Sequence, residues 1–293
     1  MDWLNFVAGA ALVVLVMVDA CWTTLTTRGA GVFTGMVTNT VRWCAITLSR
    51  NAGRRAFLVA AGPLAITLMG LVWVTGLWAG WVLMFAAIPG AVQQSSTMMP
   101  ATAAGDLVYF VGFTLSTLGV GDLVPAGTLS RVLTAVASFN GLILITLGIT
   151  YAVPLVSGAV QRRELAFELS LVNSAARAEG SSPLPSLTEG LKSVRRDLMH
   201  CTEQRMAYPM LDLYFTRARE FSLPWQLANA VSLALKYLEQ DGVRPQDQRE
   251  LGNFLAVAER YLVLHGLTSG SVDNRLQRLV EKDGWPEAVS WRG

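Results

Sequence analysis

The sequence predicts an all-α membrane protein: three transmembrane helices, a short helix and loop that enter the membrane without crossing it, and an all-helical soluble domain. The mean hydropathy is +0.42 and only 15% of the 293 residues are charged, which is too apolar for an ordinary soluble domain. Apolar runs cover residues 3–25, 56–90 and 129–159, each above the ~18 residues that indicate a membrane span. Residues 161–293 instead hold 17 basic and 17 acidic residues, which indicates a separate soluble domain.

The first apolar run begins directly after Met1 and Asp2, with no basic segment before it. We therefore expect a retained helix rather than a cleaved signal peptide. Asp19 is an ionisable group inside this span, and such residues are functional-site hypotheses by default. It could cap a helix or pair with the arginines that follow, or it could couple this helix to a moving part of the protein. Residues 26–55 form either a helix along the membrane surface or a loop, and with the first helix they make up the region 1–55.

The second apolar run carries no charge and no polar turn residues near Gly70 or Gly76. This favours one long, tilted outer helix over two short ones, with Pro63 near its inner end. Trp73, Trp78 and Trp81 lie along it, and their expected role is anchoring at the membrane interface and packing.

A shorter apolar piece, residues 106–116, has about half the length of a span, and Asp106 is placed to cap its N-terminus. The third run is the inner helix, and Pro154 is expected to interrupt and kink it near its end. Thr146 and Thr150 could face a cavity or bond to their own helix backbone. Together these pieces define the region 56–160.

Arginine positions predict the orientation. The segment 26–55 carries five arginines and no acid, the segment 89–128 carries no Arg or Lys, and Arg162 and Arg163 follow the third run. Positively charged loops stay in the cytoplasm. We therefore expect the N-terminus outside, residues 106–125 dipping in from the outside, and the C-terminal domain in the cytoplasm.

The region 161–293 shows helical patterns and no alternation typical of β-strands. Ser186 and Glu189 predict a capping box for a helix over 187–199, and Ser222 with Pro224 predicts the start of another. Further helices are expected over 248–265, ended by Gly266, and over 273–282, ended near Gly284. A loop is expected over residues 180–185, and no glycine-rich nucleotide-binding fingerprint is present.

Several functional classes find no support in the sequence. Cys21, Cys44 and Cys201 are far apart and odd in number, so they predict neither disulfides nor a metal site. The pair His200 and Cys201 with Glu203 is more typical of a solvated helix surface than of a metal site. Because the C-terminal domain is neutral overall, no nucleic-acid partner is expected. No arrangement indicates catalysis or a cofactor, and no span has the repeated arginines of a voltage sensor.

The segment S-T-L-G-V-G-D-L-V-P, residues 116–125, lies between the short helix and the third run. Irregular backbone at membrane depth is tolerated only where it is buried in protein or lines a water-filled path. Glycine permits positive φ, so alternate residues could aim their carbonyls in one direction. Stacked rings of such carbonyls can replace the water shell of an ion, as the T-V-G-Y-G loop of potassium channels does.

Residues 117–122, T-L-G-V-G-D, resemble the T-x-G-x-G-D signature of the pore-loop potassium channel family, of the prokaryotic type with one pore domain per chain. The resemblance extends from about residue 63 to 160. It includes an aromatic pair, an exit segment, an arginine and a hinge glycine: Tyr109 with Phe110, Asp122-Leu-Val-Pro125, Arg131 and Gly141. It makes residues 56–160 the pore domain, with outer helix, pore helix, selectivity filter and inner helix.

The resemblance implies a role for each filter residue. Thr117, Leu118, Gly119 and Val120 would coordinate K⁺, Gly121 would permit the outer turn, and Asp122 would brace the filter from behind. The filter would be completed by a homotetramer, since one loop supplies a quarter of a ring. Gly141, Pro154 and Asp19 become candidates for gating.

Two residues depart from the family pattern. Val120 replaces the usual Tyr or Phe between the filter glycines, and Phe113 stands where some members carry a carboxylate that partners the filter aspartate. The sequence thus predicts a K⁺-selective channel in the cell (inner) membrane, with K⁺ and the lipid bilayer as partners. Two alternatives remain: a weakly selective monovalent cation channel, and a non-conducting membrane-anchored sensor or scaffold.

Overall fold

The computed structural model describes residues 1–26, 29–52, 55–101, 103–178, 184–240 and 242–285. Within them the chain is mostly helical, with one two-stranded ribbon. The elements in chain order are α1 (Trp3–Leu25), α2 (Val32–Ala52), α3 (Ala56–Val59), α4 (Ala61–Ala86), β1 (Val92–Gln94), α5 (Ala104–Leu115), β2 (Leu123–Pro125), α6 (Gly127–Ala178), α7 (Leu184–Ala207), α8 (Leu223–Leu238), α9 (Pro245–Leu264) and α10 (Val272–Lys282). Two short 3₁₀ turns, Pro209–Leu213 and Arg219–Phe221, lie between α7 and α8.

Among the described residues, three helices, α1, α4 and α6, are long and apolar enough to cross a membrane, in agreement with the three apolar runs. The long part of the second run is one helix, α4, as expected, whereas its first residues form the separate helix α3. Pro63 lies in the first turn of α4, where the missing amide proton costs little. Trp73 and Trp81 are 1% and 2% exposed. Because both side chains are buried inside the protein, they pack in the core and do not anchor at a membrane interface.

The chain forms two compact units, Met1–Val37 with Ile66–Val153, and Thr38–Ala65 with Pro154–Gly293. These divide the chain at other points than the predicted regions 1–55, 56–160 and 161–293. The difference arises because α2, α4 and α6 each contribute residues to both units.

In the first unit, α1 packs against α4 through small residues. A Cβ on Gly9 would lie 2.6 Å from the Gly80 carbonyl oxygen, and one on Gly80 would lie 2.8 Å from Val13. Gly76 is in similarly close contact with Val16. Gly76 and Gly80 form a G-x-x-x-G motif, which lets membrane helices approach closely. Gly76, which was considered as a possible turn position, therefore lies in a helix–helix contact.

A short β-ribbon was not expected from the sequence. Strands β1 and β2 pair antiparallel, with Val92 opposite Pro125 and Gln94 opposite Leu123. Each strand has only three residues, too few to show a period-two pattern. The ribbon ties the segment after the 116–122 loop to the segment after α4.

Helix α6 does not end near residue 160. It continues to Ala178, and Pro154 lies inside it, so the expectation that Pro154 interrupts the helix is wrong. Thr146 and Thr150 donate hydrogen bonds to the carbonyls of Leu142 and Thr146, at 2.9 and 2.8 Å. Of the two roles considered for these threonines, they make the bond to their own helix backbone.

The second unit contains the helical domain. Helices α8, α9 and α10 lie where the sequence predicts helices, and the Ser222 hydroxyl accepts a hydrogen bond from the Trp225 amide at the start of α8. Helix α7 begins at Leu184, so Ser186 lies inside the helix and the predicted capping box is wrong. Of the predicted loop over 180–185, residues 180–183 lie outside the described residues, and residues 184 and 185 belong to α7. The core of this domain is one apolar cluster that includes Leu169, Leu227 and Phe254.

Two polar clusters tie this domain together. Arg205 holds Asp212 through both carboxylate oxygens, at 3.1 and 3.0 Å from its Nε, and Arg162 lies 3.4 Å from the same carboxylate. Arg55, just before α3, donates to the carbonyls of Thr216 and Gly284 at 2.6 and 2.8 Å. Arg55 therefore fixes the segment before α3 to the end of α10.

Candidate functional site: the loop over residues 116–122

The backbone of the loop alternates in handedness. Thr117, Gly119 and Gly121 have φ of +59°, +57° and +87°. Leu118 and Val120, which separate them, do not have positive φ. Glycine adopts positive φ freely, whereas threonine does so at a cost that its surroundings must offset. The glycines were expected to take this conformation, but Thr117 was not.

The carbonyl groups of this loop are available to a ligand. Within the described part of the chain, the backbone carbonyls of residues 117–121 accept no hydrogen bond, and residues 116–122 are all exposed in the single chain. Successive residues of opposite handedness turn their carbonyls towards one side, a geometry that suits cations.

The loop is anchored at its start by α5. The amide of Thr117 donates to the Thr114 carbonyl at 3.1 Å, and the amide of Leu118 donates to the Phe113 carbonyl at 2.9 Å. These bonds use carbonyls of the last turn of α5, which otherwise have no partner in the helix. The first loop residues are therefore held directly at the C-terminal end of a helix, where the helix dipole favours positive charge.

At its exit the loop is held by the β-ribbon. The Asp122 carbonyl accepts a hydrogen bond from the Ser95 amide at 2.8 Å, and the Ala126 amide donates to the Ala91 carbonyl at 2.8 Å. Both ends of the loop are thus fixed by backbone bonds, while the carbonyls between them stay free.

Asp122 lies close to Tyr109 of α5. Its Oδ1 accepts from the Leu123 amide at 2.9 Å, and the Tyr109 side chain is near enough for the two groups to interact electrostatically. Phe113 packs edge-on against the Tyr109 ring, with centroids 5.1 Å apart. Phe113 supplies no carboxylate, and Tyr109 is the α5 side chain that interacts with Asp122.

A cavity of about 260 Å³ lies beside the loop. Its lining includes the three residues with positive φ, together with α5 and α6 residues such as Phe110 and Ser138. Val120 is not part of this lining and is 51% exposed. Within one chain, Val120 therefore does not pack against the aromatic pair of α5.

Gly141 lies against the end of α5. The Leu115 carbonyl occupies the position that a Cβ on Gly141 would take. The glycine is required here for a close backbone approach, and α6 runs through it without interruption. The predicted gating roles of Gly141 and Pro154 stay predictions. Arg131 is exposed near the start of α6.

Asp19 is buried and fully engaged. Its carboxylate accepts hydrogen bonds from the Phe33 amide at 2.9 Å, the Thr34 hydroxyl at 3.0 Å and the Trp73 indole at 2.9 Å. It therefore caps the start of α2 and ties α1 to α4. Of the readings considered for Asp19, the structure contains the cap, while Arg28 lies outside the described residues.

Metal ligands do not cluster in the described ranges, where no group of three His, Cys, Asp or Glu residues could hold an ion. Cys201 is buried, and burial raises its pKa to about 11, so its thiol stays protonated. Glu203 pairs with Arg260 at 2.7 Å, and His200 lies 3.0 Å from Gln204.

Part of the chain matches a known protein family. Residues 71–157 match a family model described as "Ion channel". The chain is also similar to the uncharacterized membrane protein YdjJ of Bacillus subtilis (strain 168), with 29% identity over 226 residues, covering 74% of this chain. The match spans 64% of the length of that relative. No solved structure matches. The segment that contains α5, the 116–122 loop and most of the α4 and α6 spans is therefore supported as part of an ion-channel family.

Proposed function

We propose that this protein is a homotetrameric, K⁺-selective channel whose filter is the backbone of residues 117–121. The observation that carries the proposal is the run of five free carbonyls on a backbone that alternates in handedness. A loop with free carbonyls at membrane depth is tolerated only where it is buried in protein or lines a water-filled path, and the exposure of residues 116–122 favours the second. The coordinating groups are the carbonyls of Thr117, Leu118, Gly119 and Val120.

The oligomeric state follows from ion coordination. One loop supplies one set of carbonyls, and a dehydrated K⁺ needs a ring of them. Cyclic symmetry closes such a ring with four copies. The proposed arrangement places Leu118 and Val120, which are 70% and 51% exposed in one chain, against the neighbouring subunits. No catalytic step is part of this function.

The membrane orientation is part of the proposal. Arginines in and around α2 and at Arg162–Arg163 support a cytoplasmic position for these segments, in a protein of the cell (inner) membrane. Exposed apolar residues of α2, such as Met36 and Trp43, suit a helix that lies along the membrane surface. The helical domain would then also be cytoplasmic.

Flux through the purified protein in liposomes tests conduction. We expect K⁺ uptake that barium blocks and that Gly119→Ala abolishes, since a methyl group at φ +57° strains the filter. Gly70→Ala is the control, because Gly70 has no atom near its Cβ position and no positive φ. Absence of flux in the wild type would leave the membrane-anchored sensor or scaffold as the better reading.

A weakly selective cation pore is the second candidate. It is favoured by Val120, since no aromatic residue stands between the two filter glycines. In that case the same flux would be seen with Na⁺.

A further inference from the structure

A cationic cavity lies in the second unit, away from the 116–122 loop. It has a volume of about 60 Å³. Five cationic side chains line it against two carboxylates, Asp212 and Asp283. The cations are Arg42, Arg162, Arg163, Arg205 and Lys282.

Both carboxylates already have partners. Asp212 is held by Arg162 and Arg205. Asp283 accepts hydrogen bonds from the Ser222 hydroxyl at 2.6 Å and the Trp285 indole at 3.1 Å, and it lies 3.7 Å from Arg55. Both carboxylates are therefore paired with arginines other than Arg42 and Arg163, although Asp212 still acts on Lys282.

The other three cations, Arg42, Arg163 and Lys282, have no ion pair with a carboxylate in the described part of the chain. Arg42 makes no hydrogen bond or ion pair within the described part of the chain. Arg163 lies over the Phe221 ring at 5.3 Å. Lys282 donates to the His265 carbonyl at 2.6 Å, which leaves two of its three ammonium protons for another acceptor.

The charges around Lys282 repel it. Burial lowers the pKa of Lys282, and the nearby charges of Arg42 and Arg205 lower it further. A bound anion would reverse this repulsion, because it would place negative charge among cations that otherwise face one another.

We propose that this cavity binds a phosphate group, with Arg42, Arg163 and Lys282 as its ligands. At about 60 Å³ the cavity is small, so any molecule larger than a compact tetrahedral anion would extend out through the opening. Arginine and lysine are the side chains that phosphate binding uses most. The three ligands come from α2, α6 and α10, so the bound group would join these three helices.

Two sources share this chemistry: free inorganic phosphate, and the headgroup of an anionic phospholipid. Calorimetric titration of the full-length protein in detergent with inorganic phosphate tests the first. Native mass spectrometry of the same protein with phosphatidylglycerol, against phosphatidylcholine at equal concentration, tests the second. Neither measurement depends on whether the protein conducts ions.

The informative variant is Arg42→Gln combined with Lys282→Gln. For whichever probe the wild type binds, we expect this variant to raise the dissociation constant by about tenfold or more, because two charge-assisted hydrogen bonds are lost. Arg249→Gln, on exposed surface of α9, should change it less than about twofold. Arg163→Gln, which leaves the α2 and α10 side chains intact, is a second variant in case the double change impairs folding.

Binding of phosphate alone assigns the cavity to a free anion, and binding of phosphatidylglycerol alone assigns it to a lipid headgroup. The proposal is overturned if the wild type binds neither probe. It is equally overturned if the variants that fold bind both probes as tightly as the wild type does.

Discussion

The carbonyl oxygen of Leu115, at the end of α5, occupies the space that a Cβ on Gly141 of α6 would need. The last turn of α5 also holds the first residues of the 116–122 loop, through the carbonyls of Phe113 and Thr114. A change at Gly141 should therefore reach this loop by displacing α5, whether or not α6 bends there.

We expect Gly141→Ala to destabilise the protein by about 1–3 kcal/mol, the usual cost of overpacking a well-packed contact. Because the displaced atoms are backbone, K⁺ flux should fall as well. Gly148→Ala is the matched control on the same helix, since no atom lies near its Cβ position. Thermal unfolding and liposome flux of the two variants give the comparison.

If Gly141 acted only as a hinge, alanine would alter opening while stability stayed unchanged. Equal unfolding temperatures for Gly141→Ala and Gly148→Ala would therefore contradict the close-contact account.

Asp19 gives a second prediction. Asn at this position offers one acceptor oxygen in place of two, so it cannot satisfy all three donors that now meet the carboxylate. We expect Asp19→Asn to cost about 1–3 kcal/mol of stability. Trp73→Phe removes the indole donor and also leaves space at a fully buried position, so it should cost at least as much. Normal flux in the folded Asp19→Asn protein would show that Asp19 only holds α1, α2 and α4 together, whereas altered flux would support coupling to the gate.

The three spans could be predicted because the length of an apolar run decides whether a helix can cross a membrane. The positive φ of Gly119 and Gly121 could be predicted because only glycine adopts this conformation without strain. The conformation of Thr117 could not, since it depends on the bonds that α5 and the ribbon impose on the loop. The close contact at Gly141 depends on the approach of two distant helices, which one sequence does not specify.

The first and last residues of helices were predicted less well than the helices themselves, because they depend on single capping residues and prolines. Asp106 was expected to cap α5, but it lies in the first turn, and Ala103 occupies the cap position without a side-chain bond. The passage of α6 through Pro154 was missed because proline usually ends a helix. The G-x-x-x-G motif at Gly76 and Gly80 was visible in the sequence and would have predicted a close helix contact at this face of α4.

The Asp212 cluster predicts a large effect of a single change. Asp212→Asn leaves Arg162 and Arg205 mostly buried without a counter-charge, and we expect a loss of about 3–5 kcal/mol. Glu203→Gln breaks an exposed pair with Arg260 instead and should have little effect on stability. Thermal unfolding of both variants compares them, and similar losses would show that the buried cluster contributes no more than a surface pair.

Acid should destabilise the helical domain. Burial works to raise the pKa of Asp212, but His265, Arg162 and Arg205 outweigh it and hold this pKa well below its usual range. Its contribution is therefore fully present above the unfolded value of about 3.9 and is lost as pH falls through the lower folded value.

His265 should also make the folded protein less stable on acidification, in a higher pH range than Asp212. Burial lowers its pKa, so below about 6.5 the unfolded chain takes up a proton before the folded one does. Unfolding temperatures measured from pH 7 to pH 3 should fall below about pH 6.5, because of His265, and again below about pH 3.9, because of Asp212. The second fall should be smaller in the Asp212→Asn variant. Stability that rises on acidification would contradict both assignments.

The central claim is that the carbonyls of residues 117–120 select K⁺, and reversal potentials test it most directly. Purified protein in a planar bilayer would be measured with K⁺ on one side and Na⁺ on the other. The account predicts a reversal potential displaced strongly in the direction that K⁺ permeability requires. A reversal potential near zero, from a current that Gly119→Ala abolishes, would contradict it and identify a weakly selective cation pore.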